Sequence, residues 1–348
     1  MITLLARLAD VGVIHMYSNT SYRMAVIGLG HYAIEYWLPG IIDSRYAQLI
    51  AVCDIDKTKT EEIANKFGVQ GYTDYSKLLE LEPLDFVIAI TPHDVYRGII
   101  EEAARKGVHV LKEKPFARNL SEGLYLNKLC QRSGIHLMTA MQRRFSPIYT
   151  IFFQLIDKIG EILFIEARYT LASADPNAGW RGDRNRAGGG CLVDMGYHTF
   201  DMIIWYFGLP DKVIAEFLLS DTPEENAFIL FGYNTGVYGL VTISRNLPPK
   251  SEYIRVRGTK GLIEVKREAI RRLGETGDVI ESFVREAAWP PVSNEQIDYF
   301  CRVIRGEAEN IGSPSYHLQH LKFIEACYES KRRGQYVNPK SIGEVLNE

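Results

Sequence analysis

The sequence predicts an α/β protein in two parts: a doubly wound parallel sheet, then an α+β domain on a large, open, mainly antiparallel sheet. Three observations support this. Short apolar runs alternate with longer amphipathic stretches over about the first 140 residues, as they do where buried parallel strands are joined by crossover helices. A Gly-x-Gly-x-x-Ala turn closes the first apolar run, where a phosphate-binding turn would sit. Beyond Met141 the runs lengthen and alternate apolar with polar residues, as half-buried antiparallel strands do.

In chain order, strands are expected at Met24–Gly28, Leu49–Asp54, Asp85–Thr91, Val108–Pro115 and Ile135–Ala140. Between them the pattern predicts helices from the glycine turn to Ile42, over Lys57–Phe67, Val95–Lys106 and Ser121–Ser133. Gly68 and Gly107 are natural helix stops. The second part reads as a helix at Ile148–Ile159, a long strand at Ile162–Leu171 and a helix at Gly190–Phe207. Strands follow at Val213–Leu219, Ala227–Tyr233, Val237–Arg245, Tyr253–Gly258 and Gly261–Lys266, then helices at Asn294–Arg305 and Tyr316–Arg333. Asn234-Thr-Gly236 is a hairpin signal. The expected division is an N-terminal extension at 1–23, a dinucleotide-binding domain at 24–140, and an α+β domain at 141–348. The extension has no basic start and no unbroken apolar centre, so it reads as a product of an early start codon rather than a signal peptide.

Composition narrows the function. The 348 residues are 46% hydrophobic and 24% charged, with a net charge of −3, so an ordinary globular protein is expected, not a disordered chain or a dedicated nucleic-acid binder. No run is long and apolar enough for a transmembrane helix. The five cysteines are scattered without a CxxC pair; no metal site is read from them, and free thiols fit a cytoplasmic location.

Three motifs point to chemistry. Gly28-Leu-Gly30-His31-Tyr32-Ala33 follows a strand and opens a helix, so a pyrophosphate could approach the backbone and the helix N-terminus. Asp54 lies 24 residues after Gly30, near the spacing of the carboxylate that bonds an adenosine ribose. It would repel a 2′-phosphate, so NAD(H) is expected over NADP(H), although Lys57 and Lys59 lie close by. Glu113-Lys114-Pro115 ends another strand of the same sheet, where the lysine could reach a substrate oxygen; by itself such a tripeptide is more often a solvated strand end. Gly188-Gly-Gly-Cys-Leu-Val-Asp194-Met-Gly-Tyr-His198-Thr-Phe-Asp201 combines glycines that allow close approach with three polar residues on one helix face. A histidine beside a carboxylate suits proton transfer near neutral pH, and also suits a buried structural role.

Taken in order, these motifs, with Thr91-Pro92, Arg143-Arg144-Phe145, Trp180-Arg181 and the Ile324–Ser330 stretch, resemble the Gfo/Idh/MocA family of oxidoreductases from Met24 nearly to the C-terminus. The resemblance implies a Rossmann domain, a second domain with an open sheet, and hydride transfer between a nicotinamide and a secondary alcohol or ketone of a sugar, cyclitol or nucleotide-linked sugar. It implies a catalytic set of Lys114, Asp194 and His198. It places Gly28, Gly30, His31, Tyr32, Ala33, Asp54, Thr91, Pro92, Glu113 and Lys114 at the cofactor. Arg144, Trp180 and Arg181 join Lys114, Asp194 and His198 at the substrate. A homodimer or homotetramer is implied as well.

The chain departs from the family pattern at Tyr96, where many relatives carry histidine and where His93 and Asp94 stand just before, and at Gln142, where many carry asparagine. Two other readings keep the fold: a non-catalytic dinucleotide-binding regulator, and a redox-assisted glycoside hydrolase. Arg181, Arg184 and Arg186 either bind an anionic group of the substrate or occupy a solvated loop; Trp180 either stacks on a sugar or packs. His317 and His320 read as a solvated helix face, and Arg271-Arg272 and Lys331–Arg333 as surface charge.

Overall fold

Two sheets organise the computed structural model, which describes residues 21–219, 221–285 and 293–343. Most of the expected extension, residues 1–20, lies outside them, whereas Tyr22 and Arg23 already belong to the first strand. The first sheet holds β1 (Tyr22–Ile27), β2 (Ala47–Cys53), β3 (Gln70–Tyr72), β4 (Phe86–Ala89), β5 (His109–Lys112) and β6 (Leu137–Thr139). Its order is β3-β2-β1-β4-β5-β6 and every pair is parallel. Strand order reverses between β1 and β4, which opens a crevice at their carboxyl ends.

Gly68 and Gly107 end their helices as expected, and Gly134 ends a third. Lys57–Phe67, Tyr96–Lys106 and Leu120–Ser133 stop at Gly68, Gly107 and Gly134, each left-handed, a conformation glycine adopts without a Cβ clash. The first helix departs from expectation. It opens on a wide π turn at Ala33–Trp37 and regains α geometry over Leu38–Ile42, around Pro39, whose nitrogen has no hydrogen to donate. Strand β3 and the helix Tyr75–Leu81 escape the sequence pattern because three residues at a sheet edge carry no readable period.

The second sheet has eight strands: β7 (Ile162–Ala172), β8 (Lys212–Glu216), β9 (Asn226–Gly232), β10 (Tyr238–Ser244), β11 (Asn246–Gly258), β12 (Gly261–Lys266), β13 (Ala269–Leu273) and β14 (Val279–Val284). The order is β14-β13-β12-β11-β7-β10-β9-β8, and only β7 with β10 is parallel. Strand β11 starts well before the expected Tyr253 because it runs through Pro248-Pro249, where its pairing with β7 shifts register between Asn246 and Ser251; a bulge tolerates residues that cannot donate. Strands β13 and β14 were not expected, since AIRRL and the exposed VIESFV lack a clean alternation.

One face of this sheet forms the core. Ile165, Ala167, Ile229, Phe231, Val241 and Ile243 are fully buried beneath the helices Gly196–Phe207 and Pro314–Arg333. The opposite face exposes Phe164, Phe228, Tyr238 and Leu240. Two expected helices are broken. Ile148–Ile159 is the helices Pro147–Thr150 and Phe152–Leu155 and a 3-10 turn at Ile156–Ile159. The expected Gly190–Phe207 helix is Cys191–Asp194 and then Gly196–Phe207.

His317 and His320 correct the expectation of a solvated face: both are fully buried. Tyr197 Oη and His317 Nδ1 are 3.0 Å apart. His320 Nε2 lies 2.9 Å from Asp201 Oδ1, and Arg144 grips the same carboxylate with Nε at 3.0 Å and Nη2. Burial would raise the Asp201 pKa, but Arg144 and His320 outweigh it and hold the carboxyl below the usual range. Removing one partner of a buried pair leaves the other charge uncompensated. Asp201→Ala is therefore expected to cost about 3–5 kcal/mol, read as a lower urea midpoint. Because the folded pKa is depressed, this stability is present above the unfolded value of about 3.9 and drains away as pH falls below it.

Candidate active site at the carboxyl ends of the parallel strands

The glycine turn leaves β1 at Gly28, whose φ is +95° and whose Cβ, if present, would lie 2.2 Å from Ile90 O. Only glycine fits there. At Gly30 a Cβ would meet nothing within 4 Å, so this stretch of backbone borders open space of the kind a pyrophosphate needs. Asp54 docks the end of β2 against the turn: Oδ2 accepts from Leu29 N at 2.6 Å and Oδ1 from Asp56 N at 3.0 Å. His31 and Tyr32 are exposed at the start of the helix and Ala33 is buried beneath it. Thr91 and Pro92 follow β4, with Ile90 N bonded to Ile27 O at 2.8 Å, so they face the turn across the crevice. These residues fit a dinucleotide: a glycine cradle, a helix start and a carboxylate at the second strand.

Glu113 and Lys114 follow β5. Glu113 is buried; its Oε1 accepts from Trp37 Nε1 at 2.9 Å and Oε2 from Lys114 N at 3.2 Å. Burial pushes its pKa up. The Lys114–Pro115 peptide is cis. Lys114 Nζ reaches out of the first sheet to Asp194, 2.6 Å from Oδ1 and 3.1 Å from the backbone oxygen. On the other side of that carboxylate, Arg245 Nη2 is 3.2 Å from Oδ2 and Arg181 Nε is 3.6 Å away. Burial would raise the Asp194 pKa, but Lys114 and Arg245 hold the carboxyl well below the usual range.

His198 lies one turn further on, 8% exposed. Burial, then the charges of Lys114 and Arg143, push its pKa well below the ordinary value, so the imidazole is neutral at physiological pH. Its Nδ1 is buried and has no hydrogen-bond partner among the described residues. The structure thus brings Lys114, Asp194 and His198 together. Asp194 bonds Lys114 and Arg245 rather than the imidazole, because the helix breaks at Met195. Asp201 points into the core network instead.

Arg144 is placed differently from expectation. Its side chain is 2% exposed, and it is spent on Asp201 and the Ile311 oxygen, 2.6 Å from Nη1. The glycine run is also not a ligand contact. A Cβ at Gly188, Gly189 or Gly190 would strike Arg118 O at 2.5 Å, Tyr328 Oη at 2.3 Å or Glu224 O at 2.0 Å. The glycines let the chain pack against its own protein, and Glu224 anchors them. Its Oε1 accepts from Gly190 N at 2.8 Å, Leu192 N at 3.2 Å and Tyr328 Oη at 2.9 Å. Nothing in the sequence around Glu224 marks this role.

Trp180 stands at the rim with the Arg181 guanidinium 4.5 Å over its ring. His93 packs edge-on against it at 4.5 Å, with Nδ1 2.8 Å from Ala187 O. Burial lowers the His93 pKa to about 3, so it too is neutral. Of the loop arginines, Arg184 lies 3.6 Å from Glu224 Oε2 and Arg186 2.9 Å from Asp94 Oδ2. Sequence reasoning missed Arg245, and the ion pair of Arg143 with Glu252 at 2.5 Å, since strand spacing does not reveal which polar side chain faces the cleft. Among the described residues there is no cluster of three metal-ligating side chains and no helix long and apolar enough to cross a membrane.

The family model described as an oxidoreductase family with an NAD-binding Rossmann fold matches residues 22–141, and that of the GFO/IDH/MocA C-terminal domain matches 154–264. The chain is 26% identical to the D-apiose dehydrogenase of Paraburkholderia graminis, over 92% of this chain and 90% of that protein. It is 24% identical to a D-xylose 1-dehydrogenase (NADP(+)) of Haloferax volcanii, over 90% of this chain and 98% of that protein. The crystal structure of the aldose–aldose oxidoreductase from Caulobacter crescentus, complexed with glycerol, superposes with a TM-score of 0.81 at 24% identity, over 91% of this chain and 99% of that one. With both characteristic domains in order along one chain, and the expected sheets beneath them, the protein belongs to the Gfo/Idh/MocA family of oxidoreductases.

Proposed function

We propose that the protein is a dehydrogenase or ketoreductase acting on a secondary alcohol or ketone of a sugar, cyclitol or nucleotide-linked sugar, with NAD(H) preferred over NADP(H). One observation supports it above the others: an ammonium 2.6 Å from a carboxylate, beside a neutral imidazole with an unpartnered ring nitrogen, at the strand ends where a dinucleotide crevice opens. When bound, the cofactor supplies the nicotinamide that takes or gives the hydride.

The chain's own residues do the rest. His198, neutral through burial, accepts the hydroxyl proton at a ring nitrogen and returns it in the reducing direction. Lys114 holds the reacting oxygen and opposes the negative charge that develops on it. Asp194, kept ionised by Lys114 and Arg245, orients Lys114 and is free to accept from a neighbouring hydroxyl. Gly28, Gly30, His31, Tyr32 and Ala33 would hold the pyrophosphate, with Thr91, Pro92 and Glu113 closing the crevice. Asp54 would meet the ribose, and its negative charge opposes a 2′-phosphate. Trp180 and Arg181 line the substrate side; Arg144 is not proposed there. The exposed apolar face at Phe164, Phe228, Tyr238 and Leu240 would cover itself by pairing two copies.

His198→Ala is expected to lower kcat about a hundredfold or more, with NADH affinity retained, in steady-state assays against a sugar and cyclitol panel; unchanged turnover would remove His198 from the mechanism. Asp54→Ser should raise NADPH affinity relative to NADH, measured by fluorescence titration, and an unaltered ratio would count against the ribose contact. Phe228→Glu should shift the solution mass toward a monomer in light scattering if the sheet face is the interface.

A further inference from the structure

Directly before the Glu113–Lys114 pair lies a second lysine for which the proposed chemistry has no use. Lys112 is fully buried. Its Nζ donates to Glu113 O at 2.7 Å, to Pro115 O, and to Phe116 O at 3.4 Å, and stands 3.7 Å over the Tyr96 ring. All three carbonyls belong to the turn that carries Lys114. We propose that Lys112 is a positioning residue: its ammonium gathers the carbonyls of Glu113, Pro115 and Phe116 from beneath and so fixes the turn from which Lys114 reaches Asp194. This rests on the reading of Lys114 as the group that holds the reacting oxygen.

The chemistry supports a lysine and its charge. An ammonium has three donors, one for each carbonyl, and a neutral amine has two. The Tyr96 ring face adds an attraction that only the cation feels. The surroundings set how easily that charge is kept. Glu113 and Lys114 adjoin it on its own segment, Tyr96 and Glu122 face it from the two neighbouring helices, and His93 and His317 come from the loop after β4 and from the C-terminal helix. Burial brings its pKa down to about 7, against the pull of Glu113 and Glu122. The grip is therefore complete below that pH and loses one donor above it.

The test uses the full chain as wild type, Lys112→Met and Lys112→Arg. Hydrogen exchange read by mass spectrometry follows residues 113–118, where the amides of Glu113, Lys114 and Phe116 donate to Ala89 O, Glu113 Oε2 and Tyr197 Oη. In Lys112→Met this segment should exchange about tenfold faster while β1 and β9 keep their protection; wild-type exchange there overturns the proposal. With an alcohol that the wild type oxidises, Lys112→Met should lose about tenfold or more in kcat, as displaced catalytic groups do, at little cost in NADH Kd. Lys112→Arg stays charged, so the ratio of its kcat to that of the wild type should rise as pH passes about 7. If Lys112→Met does not fold, Lys112→Gln takes its place, with the same faster exchange at residues 113–118 expected and wild-type exchange overturning the proposal. Faster exchange in a protein whose wild type oxidises no alcohol upholds Lys112 as the support of the turn and removes the dehydrogenase reading alone.

Discussion

The Asp194 carboxylate is the point at which the two sheets meet. Lys114 approaches it from the end of β5, and Arg245 from the junction of β10 and β11. Two cations on one partly buried carboxylate keep it ionised, and each fixes the position of the other. The cleft between the parallel sheet and the open sheet is thus held by a charge-assisted contact that is also the center of the proposed chemistry. Lys114 and Asp194 keep side-chain exposures of 17% and 20%, so the pair is accessible from solvent.

Around that contact the protein divides its polar groups between reaction and support. His198 and His93 are kept neutral by burial. Asp201, Arg144, His317 and His320 form a network inside the core, and Glu224 holds the glycine run in place. These groups resemble catalytic residues in type, but each is engaged by partners inside the core, as buried polar groups generally are. His198 stands apart from them by its place, one helical turn beyond Asp194 and close enough to Lys114 for that charge to depress its pKa.

The open sheet and the wide first helical turn frame this center. The sheet presents one fully buried face to the helices and leaves the other with large apolar side chains in solvent. The π turn at Ala33–Trp37 aims Trp37 Nε1 at Glu113. The helix that follows the glycine turn is thereby hydrogen-bonded to the lysine-bearing turn.

Much of this was legible in the sequence. Periodicity marked the parallel strands other than β3 and most of the open sheet. The glycines named their own helix stops, and the order of motifs marked Lys114, Asp194 and His198, which the fold brings together. Local patterns carry that information because strand period, helix caps and turn residues act over a few neighbouring positions. What failed depended on distant partners. His317 and His320 looked solvated by spacing, yet Tyr197 and Asp201 wait for them in the core. Arg144 looked available, yet Asp201 consumes it. The glycines at 188–190 looked shaped for a ligand, yet Arg118, Glu224 and Tyr328 fill the space. Two short strands, β13 and β14, exist because neighbours pair with them rather than because their residues insist on it. The sequence by itself determined which residues could do the chemistry and on which kinds of element they sit. Only the tertiary structure decided which of them stand at the strand ends and which are consumed in the core, since the partners that bury a polar side chain come from distant parts of the chain.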